Sequence, residues 1–453
     1  MGLLHRGPMK NDVALSRRKL WLLCLFAFLI GLLATLVSQV LLKGIALFTN
    51  LFWFRTFSFH EVELGHIEFL PYHFLIPIFG GLIVGILARF GSSAIRGHGI
   101  PEVMEKILTG ESKIPRRMIF LKPFSSAIAI GTGGPFGAEG PIIATGASLG
   151  SWIGRYKIFS IYDRKILLSV GAAAGMTAIF GTPLSAVFIC IELLLFEFTA
   201  KSFIPIIVAV STAYLARFSL GHHGAVFPIG VFEFEHGWSA IFYFVAGLIS
   251  GLFACLISKI VFHLEDLFEK LPVHWMWWPA IGGIFIAIIG YIEPKSLGVG
   301  YGNITDALQG KLLLIPALTL LVWKFLSWSI ALSSGTSGGT LAPLLTFGSS
   351  IGVIIAIIGQ QFFPELNISI PITALVCMSS MFAGATRAVL TSTVFAIEAT
   401  GAHYGMAPLL LGNSAAYLVS ILLMKETIMT EKIAKRGVKV PNEYFAKSSS
   451  ASE

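Results

Sequence analysis

From Leu20 to Val37 the chain runs eighteen residues without a charge, and the apolar run continues almost to Phe54. A membrane-spanning helix needs roughly 20 apolar residues, so this stretch predicts a crossing, long or tilted. A secretory signal peptide is disfavoured, because its apolar region covers only about 7–15 residues and ends in a small-residue cleavage site. Here the run is longer and no such site follows. Hydrophobic residues make up 55% of the chain and charged residues 12%. A soluble domain carries about 25% charged residues, so lipid must cover most of this surface.

The net charge of +8 gathers at the ends of apolar runs. The start "HRGPMKNDVALSRRK" and the late segment "KETIMTEKIAKRGVKVP" are basic, which predicts that both termini are cytoplasmic. The loop "FHEVELGHIEF" is acidic and belongs outside; the loop "RGHGIPEVMEKILTGESKIPRRM" is basic and belongs inside. Charge at span ends does not form a nucleic-acid-binding module, so no nucleic-acid partner is expected. Cys24, Cys190, Cys255 and Cys377 lie apart in apolar runs. They read as buried small hydrophobes, with neither a metal site nor a disulfide framework indicated.

The chain repeats itself at about 200 residues. "FSSAIAIGTGG" at 124–134 is echoed by "FLSWSIALSSGTSGG" at 325–339. Gly146, Ser148 and Gly150 follow Pro141 as Gly348, Ser350 and Gly352 follow Pro343. "AVFICIE", ending at Glu192, is answered by "TVFAIE", ending at Glu398, so the matches stand 202 to 206 residues apart. The small residues suit close helix packing in lipid. The predicted fold is an all-α polytopic membrane protein of two inverted repeats. Broken helices, placed in the glycine-rich stretches, meet at a midplane site. The boundaries are a basic cytoplasmic N-terminus at 1–19, repeats at 20–218 and 219–424, and a cytoplasmic helix end with a disordered tail at 425–453.

Within "GTGGPFGAEGPIIATGASLG", residues 131–150, Glu139 is the only charge. An ionisable group at membrane depth is a functional candidate by default. A helix starting at Pro141 would offer free N–H groups and a positive dipole end, which attract anions. A carboxylate tethered there would fill an anion site itself and vacate it when protonated. The alternative is a helix cap or an ion pair, but no Lys or Arg lies between Lys122 and Arg155.

Three short motifs carry a resemblance to the CLC chloride channels and chloride/proton exchangers, running from about residue 20 to 440. The family's G-[KR]-E-G-P reads Gly137-Ala138-Glu139-Gly140-Pro141, G-S-G-I-P reads Gly97-His98-Gly99-Ile100-Pro101, and G-x-F-x-P reads Gly339-Thr340-Leu341-Ala342-Pro343. "FGTPLSAVFICIE" and "RAVLTSTVFAIEATG" also resemble family segments. The resemblance implies that Glu139 is a gate. It implies that amides of Leu341 and Ala342, with Gly99 and Ile100 at the inner helix start, hold a dehydrated chloride. Amide dipoles suit that task, since a full positive charge would bind an anion too tightly to release it. Four positions depart from the pattern. His98 replaces a serine, Leu341 a phenylalanine, and Met429 the tyrosine of the inner mouth. Leu193 stands where the exchangers carry an inner proton-relay glutamate.

His98 reads either as a gating residue or as a turn residue at a solvated helix start. Arg387 and Glu398 read as a structural intramembrane pair, Glu192 as a brace of its own helix, and Asp163 and Arg164 as solvated. The expected function is anion transport through a glutamate-gated pore, leaning towards a channel because Leu193 cannot titrate. A chloride/proton antiporter is the alternative. A cation-coupled transporter would show several intramembrane acids. An intramembrane enzyme would show a metal or nucleophile motif such as H-E-x-x-H or G-x-S-x-G. The resemblance further implies no cofactor, a homodimer with one pore per subunit in the plasma (inner) membrane, and, from where this sequence ends, no cytosolic CBS domains.

Overall fold

A computed structural model describes residues 17–109, 111–230 and 239–441. The basic start through residue 16 and the Ser-rich tail from residue 442, expected to be disordered, lie outside the described residues. In the first half α1 spans Arg17–Thr49, α2 Leu75–Ile86, α3 Ile100–Leu108 and α4 Met118–Gly131. After these come α5 Glu139–Ile153, α6 Ile161–Phe180, α7 Pro183–Ile189 and α8 Ala200–Ser219. In the second half α9 spans Ser239–Glu269, α10 Trp278–Ile292, α11 Tyr301–Leu308 and α12 Leu314–Ser333. Then follow α13 Leu341–Phe362, α14 Ile370–Thr386, α15 Val389–Thr400 and α16 Met406–Leu423, with a short α17, Glu431–Lys435. Among the described residues no strand forms, and eight helical segments are long and apolar enough to cross a membrane. The protein is a multi-pass integral membrane protein.

Packing follows the repeat. α1 lies on α8 as α9 lies on α16, and α5 lies on α6 as α13 lies on α14. The two halves meet through like elements, α2 on α10 and α7 on α15. The glycines expected to allow close packing do so. A Cβ on Gly146 would sit 2.1 Å from the Gly171 carbonyl oxygen, and one on Gly348 would sit 2.6 Å from that of Cys377. Backbones this close gain dispersion contacts that lipid cannot replace. The breaks fall in the glycine-rich stretches, between α4 and α5 and between α12 and α13. The stretch from Arg96 to Met118, read as a loop, contains α3, whose start at Ile100 and Pro101 is buried.

Four expectations are corrected. Arg387 and Glu398 do not pair. Arg387 donates to the carbonyls of Ser420 (3.1 Å) and Met424 (2.5 Å) at the end of α16. Glu398 instead accepts the N–H groups of Leu184 and Ser185, both at 2.9 Å, at the start of α7. Glu192 does not brace its own helix. It accepts the N–H groups of Leu390 (3.0 Å) and Thr391 (2.8 Å) and the Thr391 hydroxyl at the start of α15. The first turn of a helix leaves N–H groups without intrahelical partners, and each half supplies the acid that satisfies the other half's helix. Asp163 is 1% exposed rather than solvated. It forms a reciprocal cap with Ser160 and an ion pair with Lys201 at 3.0 Å, while Arg164 donates to the Gly154 and Glu111 carbonyls. Cys24 is half-buried, where the other three cysteines are buried.

Candidate functional site: a buried carboxylate among helix starts

The three glycine motifs meet through their backbones. Gly97 bridges to Ser337 in parallel and Gly137 to Gly339 in antiparallel fashion. The Gly137 N–H donates to the Gly339 carbonyl at 3.2 Å, and the Gly339 N–H returns the bond at 2.9 Å. Ser125 and Ser126 of α4 reach the Ser337 hydroxyl at 3.3 and 2.8 Å. These contacts bring the starts of α3, α5 and α13 to one point. Side chains would prevent it: a Cβ on Gly140 would lie 2.1 Å from the His98 carbonyl oxygen and 2.8 Å from the Gly339 Cα.

Glu139 lies at this point, as the first residue of α5 and two residues before the position expected from Pro141. It is 0% exposed. Its carboxylate accepts a hydrogen bond from the Ala342 N–H in the first turn of α13 and another from the Tyr301 hydroxyl at 3.3 Å. No Lys or Arg pairs with it among the described residues. The ion-pair alternative therefore fails. What holds the charge is a peptide N–H at a helix N-terminus, where the dipole is positive. The side chain folds back over Gly137, whose Cβ, were there one, would lie 2.0 Å from a carboxylate oxygen. Thr340, Leu341, Ala342 and Pro343 are buried alongside.

On the other side of the crossing, His98 is 2% exposed, so the solvated-turn reading does not hold. Its ring Nε2 stands 3.4 Å from Lys432 Nζ and 3.9 Å from Glu265 Oε1, and Lys432 pairs with Glu265 at 2.8 Å. Glu102 takes the His98 and Gly99 N–H groups at 3.1 and 2.6 Å. The Gly99 amide, expected to face an anion, is thus engaged by the chain itself. Lys122 is fully buried and donates to the carbonyls of Ile95 (2.8 Å) and Gly97 (3.0 Å), fixing the turn into α3. Lys324 does the same before α11, donating to the Gly298 carbonyl at 2.7 Å. Met429 is fully buried in the main core, and so is Leu193, at 4% exposure.

Sequence reasoning missed Tyr301, Lys122, Lys324, Glu102, Glu265 and Lys432. Two signals were present. Lys122 and Lys324 stand 202 residues apart, the spacing of the repeat itself, and Glu102 lies three residues after Gly99, as a capping acid does. The approach of Tyr301 to Glu139 left no local trace.

Residues 79–421 match the family described as the voltage gated chloride channels. A ClcB-like protein of Ralstonia nicotianae, named for the chloride channels, is 27% identical over 352 residues, covering 76% of this chain and 82% of its own. The fold matches a slow cyanobacterial Cl⁻/H⁺ antiporter at a TM-score of 0.82, with 22% identity over 91% of this chain and 97% of the other. A CLC-type fluoride/proton antiporter matches at 0.74, with 23% identity over 89% and 96%. A eukaryotic CLC transporter matches at 0.77, with 18% identity over 93% and 75%. With three glycine motifs converging on one buried carboxylate and a family match over most of its length, the chain belongs to the voltage gated chloride channel family.

Proposed function

We propose that the chain carries chloride across the membrane along a path that Glu139 closes. One observation carries this reading: the Glu139 carboxylate accepts the Ala342 N–H, so the chain's own anion fills a site built for one. A proton on Glu139 removes the charge that the helix start attracts. The side chain then leaves, and chloride takes the amides of Leu341 and Ala342, with the Ile100 amide at the start of α3 as the next station. A path lined by peptide dipoles lets a small anion shed water without being trapped.

Movement without a fixed proton partner is the preferred form. Leu193 is apolar and sits in the core, and the neighbouring Glu192 is committed to the start of α15. Apolar packing does not carry charge. The second form is exchange of chloride for protons. It draws support from the titratable cluster His98, Glu265 and Lys432 at the inner helix start, and from two structural neighbours described as proton antiporters. The basic ends of the chain support cytoplasmic termini in a plasma (inner) membrane, and family membership supports a homodimer with one path per subunit.

The test is chloride flux in liposomes holding the purified chain. Glu139→Gln should pass chloride at a rate nearly independent of external pH; flux that keeps the wild-type pH dependence refutes the gate. With an outward chloride gradient and no pH gradient, proton uptake in fixed proportion to chloride efflux replaces the channel form with the exchanger.

A further inference from the structure

A buried gate that responds to external pH needs a route for protons. Glu139 is 0% exposed, and the only side-chain hydroxyl or amine bonded to its carboxylate, among the described residues, is the Tyr301 hydroxyl. Tyr301 opens α11, and its ring is held by Phe180 (6.2 Å between centroids) and Phe227 (5.4 Å). Tyr301 also lines a cavity of about 370 Å³, whose wall includes Glu61, Glu63, Lys295 and Asn303. Glu61 and Glu63 are exposed, so the cavity reaches solvent on the side of the acidic segment. Tyr301 is the residue that the cavity and the carboxylate share.

We propose that Tyr301 relays protons from this cavity to Glu139, which rests on the reading of Glu139 as the gate. The phenolic O–H bond breaks as an O–H bond forms on Glu139 Oε2. The tyrosine oxygen takes a proton from a hydronium ion of cavity water, which leaves as water, so one proton has moved and the tyrosine is unchanged. Several charged or titratable groups face Tyr301. They are Glu139 from α5, Glu61 and Glu63 from the segment before α2, Lys295 just before α11, and Lys324, whose Nζ bonds the Gly298 carbonyl in the cavity wall. Phe180 and Phe227 pack on its ring and do not titrate. The two exposed acids raise the local proton activity at the cavity. Glu63 has a second task, accepting the Gly302 N–H at 3.0 Å, so Glu61 is the acid to change.

The experiment is chloride efflux from liposomes after steps of external pH. It compares wild type, Tyr301→Phe and Glu61→Gln, each also made in a Glu139→Gln background. Tyr301→Phe keeps the ring packing and removes the donor to the charged carboxylate. Half-activation should move to higher pH by about one unit, and the response to a pH step should slow at least about tenfold, since the relay is gone. Glu61→Gln should move half-activation the opposite way, by less, and the difference should vanish in high salt. Both changes should lose their effect on the pH response in the Glu139→Gln background. A folded Tyr301→Phe protein with wild-type midpoint and response rate overturns the relay. Should that variant not purify as a single species, an unshifted Glu61→Gln midpoint at low salt overturns it instead. A pH dependence that survives in Glu139→Gln brings down the gate, and the relay with it.

Discussion

Alanine at Gly137 should open the path while leaving the Glu139 carboxyl in place. A Cβ there would lie 2.0 and 2.1 Å from the two carboxylate oxygens of Glu139, far inside van der Waals contact. Gly137 is not among the positive-φ glycines, so its backbone accepts alanine. The atoms in the way are the end of a rotatable side chain, and the conflict resolves when that side chain swings off the Ala342 N–H. A hydrogen bond to a charged group contributes about 1.5–3 kcal/mol, and each 1.4 kcal/mol or so is a factor of about ten. The open population should therefore rise by roughly 10- to 100-fold. Chloride efflux from liposomes at neutral pH should rise in step, up to the ceiling set by Glu139→Gln. Gly140→Ala is the contrasting variant. Its Cβ would meet the His98 carbonyl at 2.1 Å and the Gly339 Cα at 2.8 Å, which are backbone atoms that cannot rotate away, so yield should collapse. A well-folded Gly137→Ala protein with wild-type flux at neutral pH, tested where Glu139→Gln is faster, refutes the account of the closed state.

Glu192→Ala and Glu398→Ala should each lower stability by about 1–2 kcal/mol, the usual cost of losing a helix cap. Thermal unfolding in detergent reads this directly, and an unchanged midpoint in both would deny the caps their role. His98→Ser should weaken or strengthen anion binding at the inner helix start, because it removes the ring that stands 3.4 Å from Lys432 Nζ and 3.9 Å from Glu265 Oε1. Anion titration curves that superimpose for the two proteins would remove His98 from the mechanism.

The architecture was legible because its causes are local or periodic. Eighteen uncharged residues from Leu20 require a lipid span, and the echo of 124–134 in 325–339 requires a duplicated one. Glu139 stood out for the same reason: a charge among glycines at membrane depth has few uses. What escaped was pairing across the repeat. A repeat says that Glu192 and Glu398 occupy equivalent places, yet it does not say what each one serves: Glu192 reads as a brace of its own helix and Glu398 as the partner of Arg387. Two elements related by a two-fold exchange partners instead, so each acid reaches the other half's helix start. Lys122 was read as the limit of an uncharged stretch. Its burial depends on the carbonyls of Ile95 and Gly97, in the turn before α3, closing over the end of a long apolar stem, which spacing along the sequence does not encode. Tyr301 meets Glu139 across 162 residues of chain, and only the folded arrangement brings them together.

The crossed caps give the two halves a bond that owes nothing to the covalent thread between them. Each half carries one carboxylate that it does not use and one bare helix start that it cannot fill, so each is the other's missing piece. That is the relation between two subunits of a symmetric dimer, in which the same surface serves as both donor and acceptor. The single chain thus carries, in its interior, a contact with the reciprocity of an interface between two like subunits.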